Sequence, residues 1–315
     1  MSEREDVTTA SVGTPVIGKM TVTQAATKLR ELGDVPALQM LDEAIASGRG
    51  AITLESFHWP WAHPTPPPAY AWTGHAFGFL PCSPPDVQSI DIKHAGNMPP
   101  DVSLKNQRVN VRLARLRVAD YPGGGVHRVL FDFYAQNQLP GGQEHLHFCS
   151  TFRVQEGQQA AVIGHPIFVG INVGSQGLAF GCRTVNISND DDEKFLSFLG
   201  SDVLKAGLKL IQTAQPAIGP LSQVMLGLAT GIGQRNKNVP VQEFFMGLDF
   251  ARNPMGARLA EGDYVAVQIP DTMAVGWSWQ EWVYQSASGA LVRRDDATKP
   301  IPYNYVVFSV TRYED

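Results

Sequence analysis

The chain has 315 residues, 43% hydrophobic and 17% charged, a globular composition that excludes a disordered or fibrous class and leaves ample apolar side chain for a core. A net charge of −5 supplies no general attraction to nucleic acid or to an anionic membrane. Three cysteines, Cys82, Cys149 and Cys182, are too few and too widely spaced for a disulfide framework.

Residues 1–18 read as a flexible lead with early acidic residues and no apolar secretion signal, so a reduced, cytoplasmic setting is expected. Residues 19–50 read as a helical hairpin. Thr21 or Thr23 caps a helix with Ala25, Ala26, Leu29 and Leu32 at helical spacing, and Gly33 stops it. Pro36 suits the first turn of a second helix through Leu38, Met40, Leu41 and Ile45. Residues 51–106 read as a strap. Between Phe57 and Pro85 the prolines at 60, 64, 66, 67 and 68 forbid a regular helix or a central strand. The aromatics there fit a cover over the side of a sheet, or a polyproline ligand for a partner.

From about residue 107 the apolar period becomes two. "VNVRLARLRVAD", "VHRVLFDFYAQN", "EHLHFCSTFRVQ", "AAVIGHPIFVGINV" and "LAFGCRTVNI" read as five successive strands, the first two joined by the glycine turn "YPGGG". Five more follow at "VPVQEFFMGLDF", "DYVAVQIP", "WSWQEWVYQSAS", "ALVRR" and "YNYVVFSVTRYE". About ten strands over 107–315 predict a mainly β domain, an antiparallel β-sandwich of jelly-roll or C2-like shape. A helical insertion at 189–235 separates strands five and six. The spacing predicts helices over about 192–214 and 220–233; Pro216 and Pro220 break the uncharged run from Leu210 to Gln234, which argues against a membrane span.

Three sets of residues carry candidate chemistry. The alternation of "GGQEHLHFCSTF" puts Leu146, Phe148 and Ser150 on one strand face and His145, His147 and Cys149 on the other. In the preceding strand Asp132 and Tyr134 face the same way. A turn through "NQLPGGQ" gives a register in which paired residue numbers sum to about 279, setting Asp132 opposite His147 and Tyr134 opposite His145. His145, His147 and Asp132 are then a candidate site for a divalent metal ion, in the manner of two-His-one-carboxylate sites. The competing reading is a polar strand face with an Asp–His hydrogen bond, which the N-terminal helices are free to cover. Asp190, Asp191 and Asp192 are a candidate calcium loop, weighed against the N-terminus of a helix. Trp277 and Trp279, on one face if the stretch is a strand, are candidates for stacking a sugar or a proline ligand.

No GxSxG, phosphate loop, GxGxxG or HExxH occurs. The expectation is therefore a non-enzymatic interaction or assembly protein that binds a protein partner or itself. A metal binder or metal enzyme at His145, His147 and Asp132 is the first alternative, and a membrane-active protein deploying helices within 203–233 the second.

Overall fold

The computed structural model describes residues 14–58, 67–82, 87–139, 142–188, 207–210, 218–235, 237–251 and 256–314. Helix α1 (Val22–Leu32) opens with a reciprocal cap: the Thr21 hydroxyl accepts from the Gln24 amide, and the Gln24 side chain accepts from the Thr21 amide. Gly33, at φ 75°, turns the chain out of α1. Helix α2 (Val35–Ala46) starts on Asp34 with Pro36 in its first turn. Both bury one stripe, Ala25, Ala26 and Leu29 from α1 and Ala37, Leu41 and Ala44 from α2, in the main core.

The strands are β1 (Gly74–Pro81), β2 (Ser89–Asp91), β3 (Lys93–His94), β4 (Arg108–Arg117), β5 (Val126–Leu139), β6 (Gly142–Gln155), β7 (His165–Asn172) and β8 (Gly177–Ile187). They continue with β9 (Leu208–Lys209), β10 (Val239–Asp249), β11 (Ala257–Arg258), β12 (Gly262–Ile269), β13 (Trp282–Gln285), β14 (Ala290–Arg293) and β15 (Tyr305–Arg312). The protein is mainly β, with three open sheets among the described residues. The largest has the order β3-β1-β12-β15-β4-β7-β9, the second β11-β10-β8-β5-β6 and the smallest β14-β13-β2.

Three sequence expectations change. Residues 74–81 are not strap but strand β1, hydrogen-bonded between β3 and β12; the "GHAFGFL" part lies beyond the proline cluster and keeps every backbone donor. The strands on either side of the triple glycine do not pair. β4 lies between β15 and β7, and β5 between β6 and β8, so the glycine loop carries the chain from one sheet to the other. The helix expected over 192–214 does not hold at Leu208 and Lys209, which pair in parallel with Phe168 and Val169 of β7; of that span only 207–210 are among the described residues.

The central strands β12 and β15 of the seven-stranded sheet are buried on both faces, which the sequence shows as near-continuous apolar runs. Tyr264 and Ala266 of β12, with Val306 and Phe308 of β15, face the five-stranded sheet; Val265, Val267, Tyr305 and Val307 face the three-stranded one. On the first side Phe133 of β5 meets the rings of Phe131, Phe168, Phe180 and Phe308 at centroid distances of 5.4–6.1 Å. On the second, Trp279, Trp282, Leu291 and Ile301 close a smaller core.

Helix α3 (Ile218–Gln234) packs on β6 and carries no charged residue. No helix among the described residues is long and apolar enough to cross a membrane.

Polar groups inside the fold are tied up by specific partners. A bulge between Pro240 and Gln242 leaves Val241 out of register, and its carbonyl accepts from the Gln268 amide nitrogen at 2.9 Å. The triple-glycine loop, at φ 97°, 63° and 83°, turns its amides onto the protein's own carboxylates: Gly123 donates to Asp34 and Gly125 to Glu156. Those donors, which a phosphate-binding loop would offer to a ligand, are therefore occupied.

Asp120, next to this loop, has its carboxyl pushed up to about 7, first by burial and then by the Glu156 charge. A folded-state pKa above the unfolded value means that the folded protein holds the extra proton. Stability then falls as pH rises from about 4 to about 7. Asp120→Asn keeps an oxygen for the Ala69 amide and is expected to stabilise by about 1–2 kcal/mol at pH 8 and by almost nothing at pH 4. Urea titrations at both pH values check this; equal effects at the two would refute it.

Candidate functional site

A cavity with aromatic walls lies where the three-stranded sheet meets the loops before β13 and β15. It encloses about 490 Å³. The segment Trp277–Ser278 is loop and Trp279–Glu281 a single 3₁₀ turn, so strand alternation begins only at Trp282. The two candidate tryptophans therefore share no flat face but meet edge-on, with centroids 5.7 Å apart. Trp279 is buried in the smaller core, and its indole donates to the Phe77 carbonyl at 3.1 Å. Trp277 is half-buried on the cavity wall and lies parallel to Trp282, with ring planes within 1° and centroids 6.0 Å apart. Two van der Waals contacts would need about 7 Å, so this pair is a closed, offset stack that admits no third ring between its members. Tyr303 meets Trp277 edge-on at 5.8 Å. The Trp277 indole nitrogen is shut from solvent and lacks a hydrogen-bond acceptor among the described residues, so ring contacts and apolar packing hold that ring.

The cavity rim is charged but internally neutralised. Arg293, opposite Trp282 in the β13–β14 hairpin, holds its guanidinium 5.9 Å from the Trp282 ring centroid. It donates to both oxygens of Asp295, at 2.9 and 3.3 Å, and lies 4.0 Å from Glu281. The Asp295 partner raises the pKa of Arg293, and hydrogen bonding from Arg293 lowers that of Asp295. Lys299 sits 3.1 Å from Asp296, whose carboxyl is held down at about 2, chiefly by the Thr298 hydroxyl and then by Lys299. Asp295 and Asp296 thus face cations rather than forming an open acidic edge. Asp190, Asp191 and Asp192 lie outside the described residues.

The second constellation is on the outer face of the five-stranded sheet. The β5–β6 register sums to 281 rather than 279, so His147 opposes Tyr134, His145 opposes Gln136, and Asp132 opposes Cys149. A shift of two preserves every face. Asp132 and His147 are thus diagonal neighbours rather than directly opposed, with His147 Nδ1 3.6 Å from an Asp132 oxygen. Both are only 6% exposed, whereas His145 is exposed. The cover comes from α3, whose Leu226, Ala229 and Thr230 close a cavity of about 20 Å³ over Asp132 and His147, room for about one water.

Sequence reasoning missed two members of this face. Arg183 on β8 lies directly between Asp132 on β5 and Glu243 on β10, giving a row of alternating charge across three strands. The Arg183 guanidinium also donates to the Thr14 carbonyl. The signal was present, since Arg183 and Glu243 are single charges inside otherwise apolar stretches. Tyr134 lies flat across Gly181 and stacks on His147, with centroids 5.2 Å apart; burial raises its pKa well above the ordinary phenol range. Burial likewise raises the Cys149 thiol, beneath α3, and the Cys182 thiol in the core, so neither is a ready thiolate. Among the described residues no three His, Cys, Asp or Glu side chains converge as a metal-holding group.

Comparison with protein families, with curated proteins and with solved structures returns no match for this chain.

Proposed function

We propose that this chain is a non-enzymatic binding protein, acting in a cytoplasmic setting, whose partner engages the aromatic cavity beside the three-stranded sheet. The partner is a separate molecule or a second copy of the chain. The architecture that goes with this reading is a β-sandwich of the two larger sheets, carrying the small sheet as a binding platform. The observation behind it is the cavity of about 490 Å³ walled by Trp277, Trp282 and Tyr303. Spaces of ~300–1,000 Å³ with aromatic walls and a few polar groups are the usual form of a ligand site. Its rim charges pair with one another, which suits recognition better than proton transfer.

Divalent metal binding at Asp132 and His147, with His145 beyond, is the second reading, and the 3.6 Å approach of the first two favours it. Arg183 in the same row weakens it, because a fixed cation raises the energy of a second one. Labelling the six tryptophans with fluorine and adding a mixed library of hydroxylated, prolyl, aromatic and anionic fragments discriminates the two. The signals of Trp277 and Trp282 are expected to shift first. Fragments that leave those two unmoved would overturn the proposal, and a response to zinc abolished by His147→Ala would favour the second reading.

A further inference from the structure

Resting on that reading of the cavity, we infer that its ligand is a neutral saccharide, held with the C–H face of a pyranose ring on the Trp277 surface and its hydroxyls on Glu281 and Arg293.

Charge comes first. The two cations on the rim already have carboxylate partners, Arg293 with Asp295 and Glu281, and Lys299 with Asp296. A phosphate or carboxylate ligand would have to displace these partners, and the three carboxyl and two cationic groups leave no positive excess to draw it in. A cationic ligand would likewise have to take these carboxylates from Arg293 and Lys299, so the paired rim favours an uncharged occupant.

The rings come next. The indole face carries the negative lobe of its quadrupole and attracts weakly positive C–H groups. A pyranose presents several such C–H groups on one side. The Trp277–Trp282 stack is closed to a third ring, so a flat aromatic ligand cannot be sandwiched there; it leaves ring face and edge, with Tyr303 as a side wall.

The remaining neutral alternative is a proline-rich segment, which also stacks on aromatic rings. Its polyproline helix has no internal hydrogen bonds and needs donors for its carbonyls. Two of the three nearby indole donors are withheld here: that of Trp279 is bonded to Phe77, and that of Trp277 is shut off from solvent. What the rim does offer is a mixture of acceptor and donor, the Glu281 carboxylate beside the Arg293 guanidinium. Hydroxyls, which both donate and accept, match that pair.

The test is calorimetric titration of the intact chain with four hexasaccharides, of β-1,4-glucose, α-1,4-glucose, β-1,3-glucose and β-1,4-N-acetylglucosamine, together with a proline-rich decapeptide and heparin. At least one hexasaccharide is expected to bind, with an affinity that changes by less than about twofold between 50 and 500 mM salt because no ion pair is made. Trp277→Ala is expected to weaken it by about tenfold or more, and Glu281→Gln, an exposed and isosteric change, by about three- to tenfold. Unchanged thermal melts of both variants separate lost binding from lost fold. Binding of the peptide alone overturns the saccharide and leaves the cavity reading standing. Heparin binding with a steep salt dependence overturns neutrality. No binding by any of the six ligands overturns the saccharide inference, and the fluorine spectra then judge the cavity reading separately.

Discussion

Asn304→Leu is expected to destabilise the fold by about 3–5 kcal/mol. Asn304 is fully buried just before β15 and uses its whole amide. Its oxygen accepts from the Ala119 and Asp120 amides at 2.8 and 3.1 Å; its nitrogen donates to the Asp120 carbonyl at 3.1 Å and to Gln268 at 2.9 Å. Gln268 passes the connection on to the carbonyls of Trp72 and Val241. Leucine matches the volume but leaves two donors and two acceptors in an interior where each orphan costs about 1–3 kcal/mol, reduced where the backbone can relax. Tyr303 is the adjacent residue, so the cavity wall should loosen as well. Denaturant titration checks the stability. A loss under about 1 kcal/mol would mean that water replaces the side chain, and that the network is not what joins β12, β15 and the loop after β4.

The strand stretches were legible because half-buried and doubly buried strands write their faces into the chain. Leu146, Phe148 and Val154 on one side of β6, with His145 and His147 on the other, needed only a period of two. Pairing was not legible. β4 finds its neighbours about 190 residues later in β15 and about 55 later in β7, and nothing local distinguishes the glycine loop that changes sheets from a hairpin turn. The register missed by two because β5 runs on to Leu139 and β6 starts at Gly142, where the proline and glycines read as a longer loop. The error kept Asp132 and His147 together, since only an odd slip exchanges faces. At the aromatic cavity an alternating spelling, "WSWQEWVY", covered a loop and a turn, so Trp282 took the place that Trp279 was expected to hold. The helix over the Asp132 face was equally hidden, because an uncharged helix with small residues does not name the surface it covers.

Gly181→Ala tests how that covered face is built, and the sign of the effect is the informative part. Within a strand, alanine ordinarily stabilises by about 0.5–1 kcal/mol over glycine, because glycine loses more freedom on folding. Here the substitution is expected to destabilise by about 1–3 kcal/mol, the usual range for overpacking. Gly181 is central in β8, opposite Tyr134 on β5, and a Cβ there would overlap the Tyr134 ring. The ring has little room to retreat. It stacks on His147, meets Phe245 edge-on at 5.7 Å, and lines the small cavity beneath α3. Moving it disturbs His147 and through it Asp132, so the His147 ring resonances should shift along with the melting temperature. Tyr134→Ala supplies the control, since without the ring the overlap vanishes. In that background Gly181→Ala should become neutral or favourable, giving a coupling of at least about 1 kcal/mol in the double-mutant cycle. Additive effects would mean that the glycine is required by the strand itself, and that the Tyr134 ring is free to leave the surface it covers.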